Sequence, residues 1–276
     1  MKNSEELSDG KNSLAVVIVT KNEEANITAC IKSCSNLFDV IVIDSNSSDN
    51  TSTFAENSGA RVINFEWSGA YPRKRQWALE NLVDYEWILF LDADERPDAL
   101  YFDEVLEIIN QNSFVAARST MRYFFLGKQL RFGHKVSKIN LMKRDSCRYP
   151  DLEGESRGLG DVELHYQPVC KGKIGRMRNL LSHNDVDAFS SWLRRHILYA
   201  ELESELQKDK LKYRETLEHR TTPGRISGFL PLKPQIFFLY SFLIKFGFLD
   251  GSRGYLYAYY YGWYFRTIQV LKRYQR

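Results

Sequence analysis

The chain has 276 residues, of which 43% are hydrophobic, enough to enclose a core as one large domain or as a domain with an appendage. Thirty-eight lysines and arginines against 35 acidic residues leave a net charge of only +3, which argues against a general polyanion binder, and nucleic acid fits poorly because the C-terminal basic residues are outnumbered by bulky aliphatics with no stacking-motif pattern. Residues 1–13 are polar and read as a loose tail rather than a signal peptide, and no stretch reaches the roughly 18 to 20 uninterrupted apolar residues of a spanning helix.

Leu14-Ala-Val-Val-Ile-Val19 is an apolar run of buried-strand type, followed by the polar turn Thr20-Lys-Asn-Glu-Glu24 and then Ile27, Cys30, Ile31 and Cys34 at helical spacing. The four cysteines, Cys30, Cys34, Cys147 and Cys170, contain no CxxC pair and read as small buried apolar residues in a reducing cytoplasm, against a metal or disulfide role. Val40-Ile-Val-Ile43 is a second strand. It ends in Asp44 and opens the turn Ser45-Asn-Ser-Ser-Asp-Asn-Thr51, which offers several N-cap side chains to a short helix. Arg61 to Phe65 makes a third strand, and a helix follows over about 72–82.

Trp87-Ile-Leu-Phe-Leu91 has five apolar residues, too few for a helix and suited to a strand buried on both faces. It runs into Asp92-Ala-Asp94-Glu95, so an acidic cluster falls at the carboxyl end of a strand, where open α/β sheets bind ligands. Two carboxylates turned into one crevice suit a cation; the other reading is a solvated acidic turn capping the helix that Pro97 begins. The β-α-β-α alternation predicts a mostly parallel sheet with right-handed crossovers.

After a helix over about 97–110 the alternation weakens. Residues 114–117, 121–125 and 138–142 read as separate strands of a mixed or antiparallel second half, and 149–160, with Gly154, Gly158 and Gly160, reads as a mobile loop. Helical pattern returns over 182–211, with Trp192, His196, Tyr199, Leu202 and Leu206 on one face. Pro223, Pro231 and Pro234 punctuate a linker. The domains expected are therefore a tail (1–13), an α/β domain (14–222) and an aromatic and basic helical segment (223–276). In the last, Ile236 to Leu249 is almost wholly apolar and Tyr255 to Tyr264 carries six tyrosines and a tryptophan among basic residues. Such a composition suits the lipid headgroup level; packing as a helical hairpin on the main domain or on a second copy is the alternative.

Three ordered strand-end motifs, Val16-Val-Ile-Val-Thr-Lys-Asn-Glu-Glu24, Val42-Ile-Asp-Ser-Asn-Ser-Ser-Asp-Asn-Thr51 and Phe90-Leu-Asp-Ala-Asp-Glu95, resemble those of the family 2 inverting glycosyltransferases of GT-A fold. Val162-Glu-Leu-His165, Gly172 to Arg176, Leu180 to His183 and Gly247 to Gly251 extend the resemblance toward enzymes that build bacterial lipopolysaccharide cores and exopolysaccharides. The resemblance implies a GT-A α/β sheet, a UDP-sugar donor, a glycan or glycolipid acceptor, a Mg²⁺ or Mn²⁺ ion, and a peripheral place on the inner face of the cytoplasmic membrane.

It also implies roles. Thr20, Lys21, Asn22 and Glu23 would line the base and ribose pocket, with Asp44 accepting from the nucleoside. Asp92 would lie near ribose and metal, Asp94 would hold the metal, and His183 would be a further metal or diphosphate ligand or a structural residue. Arg73, Lys74 and Arg75 would add cationic contacts to the diphosphate or form a solvated helix face. Glu163 would be the base that deprotonates the acceptor hydroxyl, with Asp161, Glu155 and Glu153 as competitors. His165 would orient the acceptor or serve structurally. Tyr166 and Gln167 stand where the fuller Glu-x-His-Glu-His pattern has its last two members.

Other readings fit less well. Asp44-x-Asn46-x-Ser48 starts like a calcium loop, but Asp49 replaces its glycine and Ala55 its final glutamate. Arg96 stands where an aspartyl phosphatase wants Thr or Val. A nucleotidyltransferase would want a Gly-rich, Arg-containing loop in place of Thr20 to Glu24, and a non-catalytic scaffold need not keep Asp44, Asp92 and Asp94.

Overall fold

The computed structural model describes residues 14–34, 38–69, 71–151, 166–186, 188–220, 224–225, 230 and 232–274. These gather into two compact units. One takes the chain up to Met121 together with Ser137–Leu164 and Pro168–Asp185; the other takes Arg122–Val136, His165–Gln167 and Val186–Arg276.

The first unit is built on strands β1 (Leu14–Thr20), β2 (Asp39–Asp44), β3 (Arg61–Asn64) and β4 (Trp87–Asp92), with helices α1 (Ile27–Ser33), α2 (Thr51–Asn57) and α3 (Lys74–Asn81) between them. All pairings among these four strands are parallel, in the order β3-β2-β1-β4. β1 is therefore flanked by β2 on one side and by β4 on the other, which makes the carboxyl ends of β1 and β4 a topological switch point. Every residue of β1 is buried, as are Trp87 to Leu91 of β4. Burial of each such large side chain stabilises by about 1.5–3 kcal/mol, and burial on both faces explains runs without polar alternation.

β5 (Glu95–Arg96) and α4 (Ala99–Gln111) follow; the Asp98 side chain accepts from the Tyr101 N–H and caps α4. The sheet continues with β6 (Ala116–Phe125), which forms a hairpin with β7 (Lys128–Gln129), and with β8 (Ser137–Lys143), which pairs antiparallel with both β4 and β6. β9 (Cys147–Arg148) pairs with β10 (Val169–Cys170), placing Cys147 opposite Cys170 with their Sγ atoms 2.6 Å apart. β11 (Ile174–Arg176) runs parallel to β6, and β12 (Leu181–His183) pairs with β5. The expected GT-A type of sheet, parallel first and mixed later, is what the chain forms.

Two details depart from the sequence expectation. The strands expected at 114–117 and 121–125 are one strand, because the intervening Ser119 is buried inside a polar triangle: its Oγ lies 2.7 Å from Tyr101 Oη and donates to Asn140 Oδ1 at 2.7 Å, while Asn140 Nδ2 donates to Tyr101 Oη at 3.0 Å. The helical pattern expected from residue 182 begins only at Phe189, since Ser182 and His183 pair as a strand with Arg96 and Glu95.

The second unit holds α5 (Phe189–Leu206), α6 (Lys210–Glu218), α7 (Lys233–Leu239) and α8 (Ser252–Tyr274). Pro234, expected in a linker, lies in the first turn of α7, where its missing N–H costs nothing. Tyr257 is buried against Phe125 and Leu130, and Trp192 stacks on His196 at 3.6 Å with Tyr260 and Tyr261 edge-on to it. Much of the tyrosine run is thus internal packing. Among the described residues no helix is long and apolar enough to cross a membrane.

Candidate active site

The site lies in the first unit, at the carboxyl ends of β1, β2 and β4. Parallel register places Thr20 beside Asp44 and Val19 beside Asp92, so these residue types converge because the strands end together.

The turn after β1 is knitted to the turn after β2. Asn22 adopts a left-handed backbone (φ 55°), which asparagine tolerates better than most residues. Its N–H donates to Ser47 Oγ at 2.8 Å and its Oδ1 accepts from the Ser48 N–H at 2.8 Å. The Glu23 N–H donates to Thr51 Oγ1, and Glu24 accepts from the N–H and side chain of Asn50. Asp44 is buried, and Ser47 donates to both of its carboxylate oxygens, from the N–H at 2.8 Å and from Oγ at 2.5 Å. The helix cap expected from this turn comes from Asp49, which accepts from the Thr51 N–H at 3.0 Å, rather than from the N-cap residue Asn50. Thr20 Oγ1 is buried with no hydrogen-bond partner, and Lys21 is exposed.

The three cations at the start of α3 separate. Arg73 lies over the Trp67 ring, Lys74 is buried with its Nζ donating to the Thr20 carbonyl at 3.3 Å, and Arg75 reaches Asp92 Oδ1 at 2.6 Å. A solvated helix face is therefore not what Lys74 and Arg75 form.

Asp92, Asp94 and Glu95 make the centre. Lys138, at the start of β8, reaches Asp92 Oδ2 at 2.6 Å and Glu95 Oε1 at 2.8 Å, and the Asp92 N–H donates to Glu95 Oε2 at 3.0 Å. Burial alone would raise the Asp92 carboxyl, but Lys138 and Arg75 override it and hold it well below the usual range. Glu95 is 1% exposed; its burial prevails over Lys138 and, with Asp92 and Asp94 nearby, pushes it up to about 7.

Asp94 Oδ1 is buried and makes no aligned hydrogen bond; His183 Nδ1 approaches it at 3.2 Å, within ion-pair range. Burial would lower the His183 imidazole, but the Asp94 carboxylate outweighs it and, with Glu95 and Asp92, lifts it to about 9. Asp94 is held below the ordinary value against its own burial by this imidazolium. Pairing of β12 with β5 and the Asn184 N–H on the Asp94 carbonyl at 2.9 Å bring His183 there.

Asp92, Asp94 and His183, expected as metal ligands, are thus gathered, although no group of three or more His, Cys, Asp or Glu side chains among the described residues is arranged to hold a metal ion. Asp92 is taken up by cations. The donors around Asp94 do fit a hard divalent cation: a buried carboxylate oxygen lacking an aligned donor, with an imidazole nitrogen beside it. Sequence reasoning missed Lys138 and gave Glu95 no role beyond membership of the acidic cluster. Glu95 closes the third motif, while a lysine opening a strand carries no signal of facing carboxylates more than forty residues upstream. Asp161, Glu163 and His165, with Glu153 and Glu155, lie outside the described residues.

A run of parallel strands with an acidic cluster at their switch point defines an α/β protein of the open-sheet class. More particularly, the chain belongs to glycosyl transferase family 2, whose family model matches residues 15–160, over half of its length. It is 36% identical over 192 residues to the uncharacterized glycosyltransferase RT0209 of Rickettsia typhi, a match covering 61% of this chain and 65% of that protein. It is 26% identical over 172 residues to the lipopolysaccharide core biosynthesis glycosyltransferase LpsC of Rhizobium meliloti, covering 60% of each. The chain thus spans less than two thirds of the length of these relatives. Among solved structures, glucosyl-3-phosphoglycerate synthase from Mycobacterium tuberculosis in complex with Mn²⁺, UDP and phosphoglyceric acid is similar at 19% identity and a TM-score of 0.41, covering 71% of this chain and 78% of that one.

Proposed function

We propose that the protein moves a sugar from a nucleoside-diphosphate sugar, a UDP-sugar, to a hydroxyl of a lipid-linked, lipopolysaccharide or exopolysaccharide glycan, with inversion, at the inner face of the cytoplasmic membrane. Membership of glycosyl transferase family 2 supports the reaction class, and similarity to a protein named for lipopolysaccharide core biosynthesis supports the acceptor class. The observation that carries the site is the buried Asp94 oxygen without an aligned donor at the carboxyl end of a buried strand.

Asp94 and His183 would hold Mg²⁺ or Mn²⁺, with Asp92 on the ribose side. The ion would supply charge neutralisation to the departing diphosphate. Arg75 adds a cation at the same edge, and Thr20, Lys21, Asn22, Glu23 and Asp44 line the nucleoside pocket, its walls fixed by the hydrogen bonds between the two turns. Lys74 supports that pocket from beneath through the Thr20 carbonyl. In the transfer, Glu163 takes the acceptor proton, the acceptor oxygen forms the new bond at the anomeric carbon, and the diphosphate leaves from the opposite face with the bonding electron pair. Asp161 and His165 would serve the acceptor.

A thermal-shift screen of nucleotides and nucleotide sugars with and without Mn²⁺ tests the reading, because a ligand stabilises in proportion to the logarithm of its concentration over Kd. A Mn²⁺-dependent rise with uridine diphosphates is expected. No shift with any nucleotide would leave a non-catalytic scaffold.

A further inference from the structure

The second unit carries an apolar turn that the tyrosine-rich helix packing leaves outside. After α7 the chain makes a π-helical turn, Tyr240–Ile244, and a short 3-10 turn, Gly247–Asp250, before α8. Leu239, Leu243, Ile244, Phe246, Phe248 and Leu249 are 44% to 66% exposed. Ring contacts make the patch continuous: Phe246 meets Phe248, Phe248 meets Phe242, and Phe242 meets Tyr255, which stacks on the exposed Tyr259. A monomer that stays in water seldom shows so many neighbouring large apolar side chains.

The turn is held in this shape from behind. Phe246 sits in the left-handed region (φ 58°), a strained conformation for an aromatic residue, and its side chain is exposed. A Cβ on Gly247 would lie 2.7 Å from the Ser241 carbonyl oxygen, so close packing there requires glycine. Asp250 accepts from the N–H groups of Arg131 and Phe132, and Ser241 Oγ from that of His134, tying the turn to the segment after β7.

Charge identifies the occupant. From His219 to Arg276 the only acidic residue is Asp250, against nine lysines and arginines, of which Arg220 pairs with Glu203; at the turn itself stand Lys245, over the Tyr240 ring, Arg253, bonded to the Leu126 carbonyl, and Arg131, whose N–H donates to Asp250. The carboxylate of Asp250 is engaged by the two backbone N–H groups. Two copies of this face would meet with like charges, whereas an anionic lipid surface offers both an apolar layer and complementary charge.

We propose that the turn Leu239–Leu249 is a wedge that enters the headgroup boundary of an anionic bilayer, with the basic residues around it on lipid phosphates and the packed Tyr257, Tyr260 and Tyr261 of α8 as its support rather than its lipid contact. This rests on the membrane placement proposed above and is separable from sugar transfer.

The test is flotation of the whole protein with vesicles of phosphatidylcholine containing phosphatidylglycerol, beside the triple variant Leu243→Ser, Ile244→Ser, Phe246→Ser, whose side chains are exposed. The wild type floats with anionic vesicles and less in high salt. The variant binds roughly tenfold or more weakly, given the dependence of interfacial binding on apolar area, with an unchanged circular dichroism spectrum and unchanged turnover of a water-soluble acceptor. Independently, Phe246→Trp gives emission that shifts to the blue on anionic vesicles and is quenched by brominated lipid. Equal flotation of variant and wild type, or Phe246→Trp emission indifferent to vesicles, overturns the wedge. So does a wild-type dimer, without vesicle binding, that the triple variant dissociates; that result assigns the face to a second copy. Loss of turnover on the soluble acceptor in the wild type would count against the transferase reading alone.

Discussion

Asp92 and Asp94 stand two residues apart and have different neighbours. Asp92 is held by Arg75 and Lys138, while Asp94 faces His183 with one buried oxygen lacking an aligned donor. Asp94→Ala is therefore expected to remove Mn²⁺-dependent binding of uridine diphosphates, measured by calorimetry, while the protein stays folded by circular dichroism, with a lowered melting temperature because His183 loses its buried partner. Lys138 behaves differently, because it compensates Asp92 and the buried Glu95 together. Lys138→Met leaves Glu95 unpaired in the interior and should cost about 3–5 kcal/mol in urea unfolding. Adding Glu95→Gln to that variant should recover part of the loss, and a double-mutant cycle with no coupling would contradict the contact. The carboxylates were legible in the sequence because they follow an apolar run that can only be a buried strand. Lys138 was not, since its partners are defined only once β8 pairs with β4.

Among the elements, β1 to β4 and their helices could be read from the sequence because local period and turn chemistry agree with the fold. β6 could not, because Arg118, Ser119 and Thr120 break its apolar pattern and Ser119 is buried only by virtue of Tyr101 and Asn140, from other elements. The onset of α5 was misread for a similar reason: Leu181 to His183 has no strand signature of its own and is drawn into the sheet by β5. α4 is tied to the segment before β12 by Glu104, whose carboxylate accepts from the N–H groups of Arg178 at 2.6 Å and Asn179 at 2.8 Å. Burial alone would raise that carboxyl; the two N–H groups and the Arg178 side chain hold it below its ordinary value. A carboxyl depressed in the folded state contributes stability above its unfolded pKa, and the contribution is lost as pH falls through the folded value. Glu104→Gln should accordingly cost about 1–3 kcal/mol near neutrality, from the loss of charge-assisted acceptors, and the gap to the wild type should narrow as unfolding is followed from pH 6 downward. A gap independent of pH would remove Glu104 from this role.

At the scale of the whole molecule, the first unit supplies the strand ends at which the proposed nucleotide pocket and Asp94 gather, and the second supplies an apolar turn set among basic residues. The composition of 223–276 was visible in the sequence, but its division into packed and exposed rings was not: Tyr261 and Trp192 meet only after α5 and α8 pack together, whereas Phe246 and Phe248 are left outside. The base expected at Glu163 lies outside the described residues, so its role turns on kinetics. Glu163→Gln should retain donor binding while transfer falls by about a hundredfold or more, the usual scale for a general base, and unchanged turnover would move the base to another carboxylate. The most direct test of the central claim is mass spectrometry of a glycolipid acceptor incubated with a UDP-sugar, Mn²⁺ and either wild-type protein or Asp94→Ala. The account predicts that the wild type adds one sugar mass to the acceptor with release of UDP and that the variant adds none; a variant as active as the wild type, or an acceptor unchanged by the wild type across a full panel of nucleotide sugars, would contradict it.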